Sequence, residues 1–370
     1  MILILAAQIV TEFHIYQSED FKFMKTFTQH ATLVAILSAL SAPAMSADMP
    51  TLYGKAHVSF GTVSEDSGTD TSSTAITSHA SRVGVKGSID TESGTQVIYN
   101  FEWEIDIADT SKDSTSVTGT DTDTSGDFDE VTAKSSNHLK ARKQFVGLKA
   151  DWGQIRVGRD DSPYKVAGKK NVEHLSDTWA DFNNIIDKGQ DTRNDDSISY
   201  RNKMGPGKLM IAYAAGDDDA AAENAGESTS IAYDMKMGNI GFAIAQQTIE
   251  TSTTNDETGL KLSFGYKMGA TQLGLMYENV EDDGTMDDKN TYFSVKHKLS
   301  DTNSVVFAYG TKDQGLTDDA TMTAVAFNHK LGKKVSVYAL WADGSDNGLN
   351  AASKLAGDGS AMVAGLVAKF

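Results

Sequence analysis

The sequence predicts an all-β fold, a 16-stranded antiparallel transmembrane β-barrel with one long segment folded into it. Three observations carry this reading. After residue 50 nearly every stretch is an alternating run of roughly 8–13 residues, the period of a strand with two unlike faces. The turns between these runs are short and long in alternation. Residues 161–194, DSPYKVAGKKNVEHLSDTWADFNNIIDKGQDTRN, are the one long stretch that does not read as a strand, and an insertion of that length in a compact domain is usually functional.

Composition sets the outer bounds. A chain of 370 residues suits one large all-β domain. The absence of cysteine excludes disulfide frameworks, thiolate metal sites and Cys nucleophiles. A net charge of −18, with Lys and Arg scattered singly, argues against a nucleic-acid partner. The mean hydropathy of −0.34 excludes a helical membrane protein. It does not exclude a transmembrane barrel, in which only every second strand residue faces lipid.

Residues 24–47 read as a secretory signal: Lys25 is the basic start, 31–42 an apolar run and 44–47 a small-residue cleavage zone. Cleavage after Ser46 puts Ala44 at −3, and cleavage after Ala47 puts Met45 there. The apolar run is too short to span a bilayer. Residues 1–23 precede a second Met, match no part of a signal and read as an upstream extension, which leaves 48–370 as the barrel. The first 47 residues carry two Lys and three acids, so the rest holds −17. The expected product is exported and acidic.

The strands follow in order, near 51–61, 80–90, 95–109, 139–151 and 153–160, then the insertion. Eleven more fall near 195–203, 207–215, 228–237, 240–249, 257–268, 270–280, 290–299, 303–311, 321–330, 334–342 and 361–370. An even number of strands near bilayer-crossing length is the pattern of a closed bacterial barrel. In 95–107, Val97, Tyr99, Phe101, Trp103, Ile105 and Ile107 share one face, and Gln96, Asn100, Glu102, Glu104 and Asp106 the other. In 260–267, Leu260, Leu262, Phe264 and Tyr266 oppose Lys261, Ser263, Gly265 and Lys267. Lysines at strand centres are costly against lipid and natural in a wet lumen, so the polar faces point inward. The short turns (91–94, 203–207, 237–239, 268–270, 300–303, 331–333) mark one rim. The long acidic ones (64–79, 110–138, 216–227, 251–256, 281–290, 312–320, 343–360) mark the other.

Five stretches then carry a resemblance: LYGKAHVSFG (52–61), SRVGVKG (81–87), FVGLKADWGQIRVGR (145–159), DTWADF (177–182) and GLVAKF (365–370). In this order, around sixteen strands, the chain resembles the trimeric general porins of Gram-negative outer membranes over about 51–370. The resemblance implies a homotrimer integral to the outer membrane, in contact with its lipid and lipopolysaccharide. It implies a water-filled channel for passive diffusion of ions and small hydrophilic solutes, with the third extracellular loop folded inward. It also implies that Phe370 is read by the barrel assembly machinery.

By the same resemblance, the basic side of the constriction is Arg82, Arg142 and, two residues before it, Lys140, with Arg193 or Arg201 completing the wall. The acidic side is Asp177 and Asp181. The chain departs from some members after the acid: it lacks a PEFGG-like turn, and Asp181 runs into FNNIID. Opposed charges across a narrow aqueous passage make a transverse field that sorts solutes, and the net −17 leads us to expect cation preference.

No cofactor or metal is expected. DTDTSGDFDE (121–130) places Asp121, Asp123, Ser125 and Gly126 like a calcium loop, but its twelfth position is Thr132, not Glu. The eight histidines show no ligand spacing and read as a chance scatter. Three alternatives stand beside the diffusion channel. One is a substrate-specific sugar or anion porin; a sugar porin would show a lumenal ladder of aromatics, and Trp179 alone is not one. A barrel enzyme would need a Ser/His/Asp grouping that the sequence does not display. A secreted β-sandwich adhesin would give no role to Phe370.

Overall fold

The computed structural model describes residues 49–66, 70–108, 115–120, 130–135, 139–186, 189–216, 226–252, 255–282, 287–313, 319–349 and 358–370. The upstream extension, the signal, Asp121, Asp123, Ser125, Gly126 and His138 lie outside them. From Thr51 on, the described chain is almost entirely antiparallel strand. The first strands are β1 (Thr51–Asp66), β2 (Asp70–Ser78), β3 (Arg82–Asp90) and β4 (Gln96–Ile105). Next come β5 (Thr115–Thr120), β6 (Glu130–Ser135), β7 (Leu139–Ala150) and β8 (Gly153–Asp161). After the insertion run β9 (Arg193–Met204), β10 (Gly207–Ala214), β11 (Ser228–Met237), β12 (Ile240–Ser252), β13 (Asn255–Met268) and β14 (Thr271–Asp282). The last are β15 (Asp288–Lys298), β16 (Asn303–Lys312), β17 (Ala320–Lys330), β18 (Val335–Ser345) and β19 (Asp358–Lys369).

Sixteen of these traversals form the wall. β2 and β3 are one traversal, interrupted at 79–81: β2 pairs with the far end of β1 (Val58↔Ser78 to Asp66↔Asp70) and β3 with its start (Thr51↔Lys86 to Lys55↔Arg82). β19 closes the ring on β1, from Lys55↔Lys369 to Asp66↔Asp358. Closure removes the sheet edges that would otherwise leave backbone groups unpaired. The seam also holds Phe370, whose N–H donates to the Gly54 carbonyl at 3.1 Å. A Cβ on Gly54 would lie 2.3 Å from the Phe370 ring, so only glycine leaves the ring its place.

Three stretches depart from the sequence expectation, the shortest being 251–256, whose described residues extend β12 and β13. Residues 64–79 read as a turn because Ser, Thr and Asp crowd there, yet most of them extend the first hairpin. Threonine fits a pleated strand, and Ile76 continues the outward apolar face opposite Phe60. Within 110–138, β5 and β6 form a separate two-stranded sheet.

The two faces of the wall are inverted relative to a soluble sandwich. Exposed side chains along the strands include Phe60, Val146, Val157, Ile198, Ile211, Ile231, Phe264, Phe307, Phe327 and Leu366. Buried ones on the opposite face include Lys55, Arg142, Arg201, Lys261 and Glu278. No helix among the described residues is long and apolar enough to cross a membrane, and the strands do not need one.

The insertion begins with two short helices, α1 (Pro163–Val166) and α2 (Lys169–Val172), and later makes a 3-10 turn, Phe182–Asn184. Ser162 caps α1 by accepting from the Lys165 N–H at 3.0 Å, with Pro163 in the first turn. The segment bonds to the polar face of many strands. The Tyr164 N–H donates to Ser230 on β11 (3.0 Å), and Asn171 Nδ2 donates to Ser263 on β13 (3.0 Å). Ser294 on β15 donates to the Val172 carbonyl (2.7 Å), and Trp179 Nε1 donates to Ser59 on β1 (3.2 Å).

That inner face is not polar all round, as the strand patterns led us to expect. On β16–β18 it carries Val306, Ala308, Met322, Ala324, Ala326 and Leu340, which form a buried cluster with Leu175, Trp179, Phe182, Ile185 and Ile186 of the segment. The insertion thus packs an apolar core of its own against this part of the wall.

Candidate functional site

Charged side chains gather on the other side. Asp177 stands at a positive φ of 54°, a conformation that Asp tolerates better than most residues. It pairs with Lys55 of β1 and, at 3.2 Å, with Arg82 Nη2 of β3. Burial alone would raise its carboxyl, but Lys55, Arg82 and Arg142 outweigh that and hold it well below the usual carboxylate range. Asp181 is 2 % exposed and faces its own turn. It accepts from the Asp177 N–H at 2.5 Å and from the Asn183 N–H at 2.9 Å, capping the 3-10 turn. Burial, then Glu173 and Asp177, push its pKa up to about 7.

Arg142 donates from Nε to Glu102 (2.9 Å) and from Nη1 to Glu104 (2.6 Å). Tyr53 donates to the second Glu102 oxygen at 3.0 Å. Arg142 occupies a bulge in the β4–β7 ladder, between the Glu102 and Trp103 pairings, which turns it toward both glutamates. Arg193 Nε lies 2.9 Å from Asp161, which Lys143 also pairs. Arg201 shares Asp160 with Arg156, each at 2.8 Å.

A cavity of about 490 Å³ is lined by Arg82, Arg142, Lys143, Lys165, Lys169 and Arg193 together with Glu102, Glu104, Asp161, Glu173, Asp177 and Asp181. The fold therefore brings Arg82, Arg142, Arg193, Asp177 and Asp181 to one space. It leaves two residues out. Lys140 is exposed opposite Glu104, and Arg201 lines a second cavity nearer the short turns.

Sequence reasoning missed Lys55, Glu102, Glu104, Lys143 and Asp161. Glu102 and Glu104 lay in view on a polar face; only the register, Arg82↔Glu104, shows that they meet arginines. The histidines are not all scattered, which corrects that reading. The His57 and His79 rings lie 4.8 Å apart between centres, tilted by 43°. His57 Nε2 lies 2.9 Å from the Tyr338 hydroxyl, and His79 Nε2 lies 2.7 Å from Ser59 Oγ, under Trp179. No metal-holding cluster occurs among the described residues.

A closed antiparallel wall with apolar side chains outside and an ion-lined cavity within defines a pore-forming barrel that crosses a membrane with its strands. The chain belongs to the Gram-negative porin family, whose profile matches residues 31–349. It is an integral β-barrel of the outer membrane. Among solved structures it is similar to an anion-selective porin from Comamonas acidovorans at 18% identity, covering 87% of this chain and 100% of that one, with a TM-score of 0.70. It is also similar to OmpF of Salmonella typhi in complex with daunomycin (14%, 87% and 98%, TM-score 0.64). A third likeness is to OmpT of Vibrio cholerae in its trimer form (13%, 88% and 100%, TM-score 0.60). Among curated protein sequences, none matches the chain.

Proposed function

We propose that this porin lets ions and small hydrophilic solutes diffuse passively, with residues 162–192 acting as the inward-folded third extracellular loop. The observation that carries the reading is Asp177 of that segment set against Lys55 and Arg82 of the wall, at the edge of the cavity. Opposed charges there orient dipolar solutes and disfavour large apolar ones. Arg82, Arg142 and Arg193 form the basic side; Asp177 is the acidic charge that faces them, and Asp181 shapes its turn. The role is transport, not catalysis. Ser59 and His79 sit within hydrogen-bond distance, but both are buried beneath Trp179.

The net charge of −17 favours cations at the outer mouth. A second reading, preference for anions, is favoured by the wall nearer the short turns, where Lys149, Arg156, Arg201, Lys203 and Lys208 line one cavity. Loop charges are screened over about 8 Å at physiological ionic strength, whereas charges lining the passage act on the solute directly. The similarity to the Comamonas porin, which is anion-selective, accords with this second reading. The trimer form of the Vibrio protein supports assembly as a homotrimer. We further propose that lipid and lipopolysaccharide surround that trimer and that Phe370, at the closing seam, is what the assembly machinery recognises.

Planar-bilayer conductance of the refolded chain, with reversal potential in a KCl gradient, tests the whole reading. Stepwise openings in groups of three are expected, and the sign of the potential decides between the two preferences. A folded, inserted sample without conductance would refute the channel.

A further inference from the structure

The basic cavity near the short turns is independent of the Asp177 site, and its charges are poorly answered. Lys203 and Lys208 are direct cross-strand partners in the β9–β10 ladder, an arrangement in which like charges repel. Gln154 stands opposite Arg201 and beside Lys149. Arg156 and Arg201 share the single carboxylate of Asp160, and Nε of each is buried without a hydrogen-bond partner. Asp234 faces Lys208 from β11. Asp161 also stands by Arg201, which donates to its carbonyl oxygen at 2.8 Å, but its carboxylate is held by Lys143 and Arg193. Five cations thus meet three carboxylates, one of them shared with two further cations, around a space of about 380 Å³.

We propose that this short-turn mouth holds a binding site for multivalent oxyanions, small solutes bearing two phosphate or carboxylate groups. The guanidinium groups of Arg156 and Arg201 offer planar donors suited to an oxyanion. Lys149, Lys203 and Lys208 supply exposed charges that a second anionic group can reach. An occupant relieves the Lys203–Lys208 repulsion, so binding gains from a cost already present in the empty wall. A singly charged anion can answer only part of the cluster, which makes charge number the discriminating property. The polarity along the axis adds direction: the opposite strand ends carry Glu65, Glu250, Glu281 and Asp288, so such solutes meet an attractive field first at the short-turn end.

The site rests on the barrel reading for its place in the lumen, but its test does not need conductance. Calorimetric titration of the detergent-folded full chain with pyrophosphate, and with acetate as the singly charged comparator, reads binding directly. Pyrophosphate is expected to bind at least about tenfold more tightly than acetate, and K203Q/K208Q to weaken it by about tenfold. K149Q alone is expected to weaken it less, and heat-modifiable gel mobility confirms that each variant is folded. Equal affinity for the two anions, or pyrophosphate binding unchanged in folded K203Q/K208Q and K149Q, overturns the proposal. Binding without channel activity would instead refute the diffusion reading and leave the site standing.

Discussion

Asp177 holds two cations at once, so removing its charge exposes both to the passage. Asn accepts the same left-handed backbone, which makes Asp177→Asn a change of charge with little strain. A unit charge about 6 Å from a permeating ion in water is worth roughly 0.7 kcal/mol, a factor of about three. K⁺ loses that attraction and Cl⁻ loses the matching repulsion, so the K⁺/Cl⁻ permeability ratio of D177N is expected to fall by about tenfold, measured from reversal potentials. An unchanged ratio would remove Asp177 from the constriction. Asp181 acts through pH. Its raised pKa, about 7, means that the folded protein keeps a proton there that the unfolded chain releases near pH 4. Its contribution to stability is therefore full below about pH 4 and is lost as pH rises through about 7. Asp177 has the opposite sign: its contribution is present above about pH 4 and lost as pH falls through its depressed value. As Asp181 ionises, negative charge enters the cavity, so the K⁺/Cl⁻ ratio is expected to rise between pH 5 and 9 with a midpoint near 7. In D181N that rise should vanish; its persistence would assign the titration elsewhere.

At the scale of elements, the insertion is seated by small residues of the wall. A Cβ on Gly274 of β14 would lie 2.4 Å from the Asn171 carbonyl oxygen and 2.8 Å from Val172 Cα. Gly274→Val should displace α2 and the turn that carries Asp177, while the sixteen-strand ladder still closes. Single-channel conductance is expected to rise in G274V and to stay unchanged in G332V, since Gly332 has open space around it. Equal conductance in G274V and the parent chain would mean that the segment does not narrow the passage. The strands themselves were legible in the sequence because period 2 survives in residues such as Leu260, Leu262, Phe264 and Tyr266. The apolar inner face on β16–β18 was not: Ala308, Ala324 and Ala326 are small on a wet face and small on a packed one, and only the segment lying on them distinguishes the two. The site was half legible for a related reason. Asp177 stands out in an unusual stretch, but its partners Lys55 and Arg82 are 122 and 95 residues away. Their meeting depends on where the insertion comes to rest, which strand periodicity does not encode. His57 and Tyr338, 281 residues apart, meet only because β19 brings β18 next to the start of the ring.

For the whole molecule, the decisive property is which face of the wall meets hydrocarbon, and one strand can test it. On β11, Ile231 and Met237 point to the same exposed face, at 49% and 57% accessibility. Ile231 pairs with Ile211 and Gln246 in mid-ladder, whereas Met237 pairs with Ile240 at the short turn. Water would treat the two positions alike, because a charge on a solvated surface costs little wherever it sits. A bilayer would not: arginine costs about 2–4 kcal/mol at the midplane and about 0–1 near the interface. Unfolding of the lipid-reconstituted barrel in denaturant should therefore show I231R destabilised by about 2–4 kcal/mol and M237R by less than about 1. Closure makes the measurement sharp, since a ring joined at β1 and β19 has no free edge from which to fray, and a local insult is expected to appear in the global transition. Equal, small losses at the two positions would place this face in water and overturn the orientation on which the lumen, its cavities and their charges all depend.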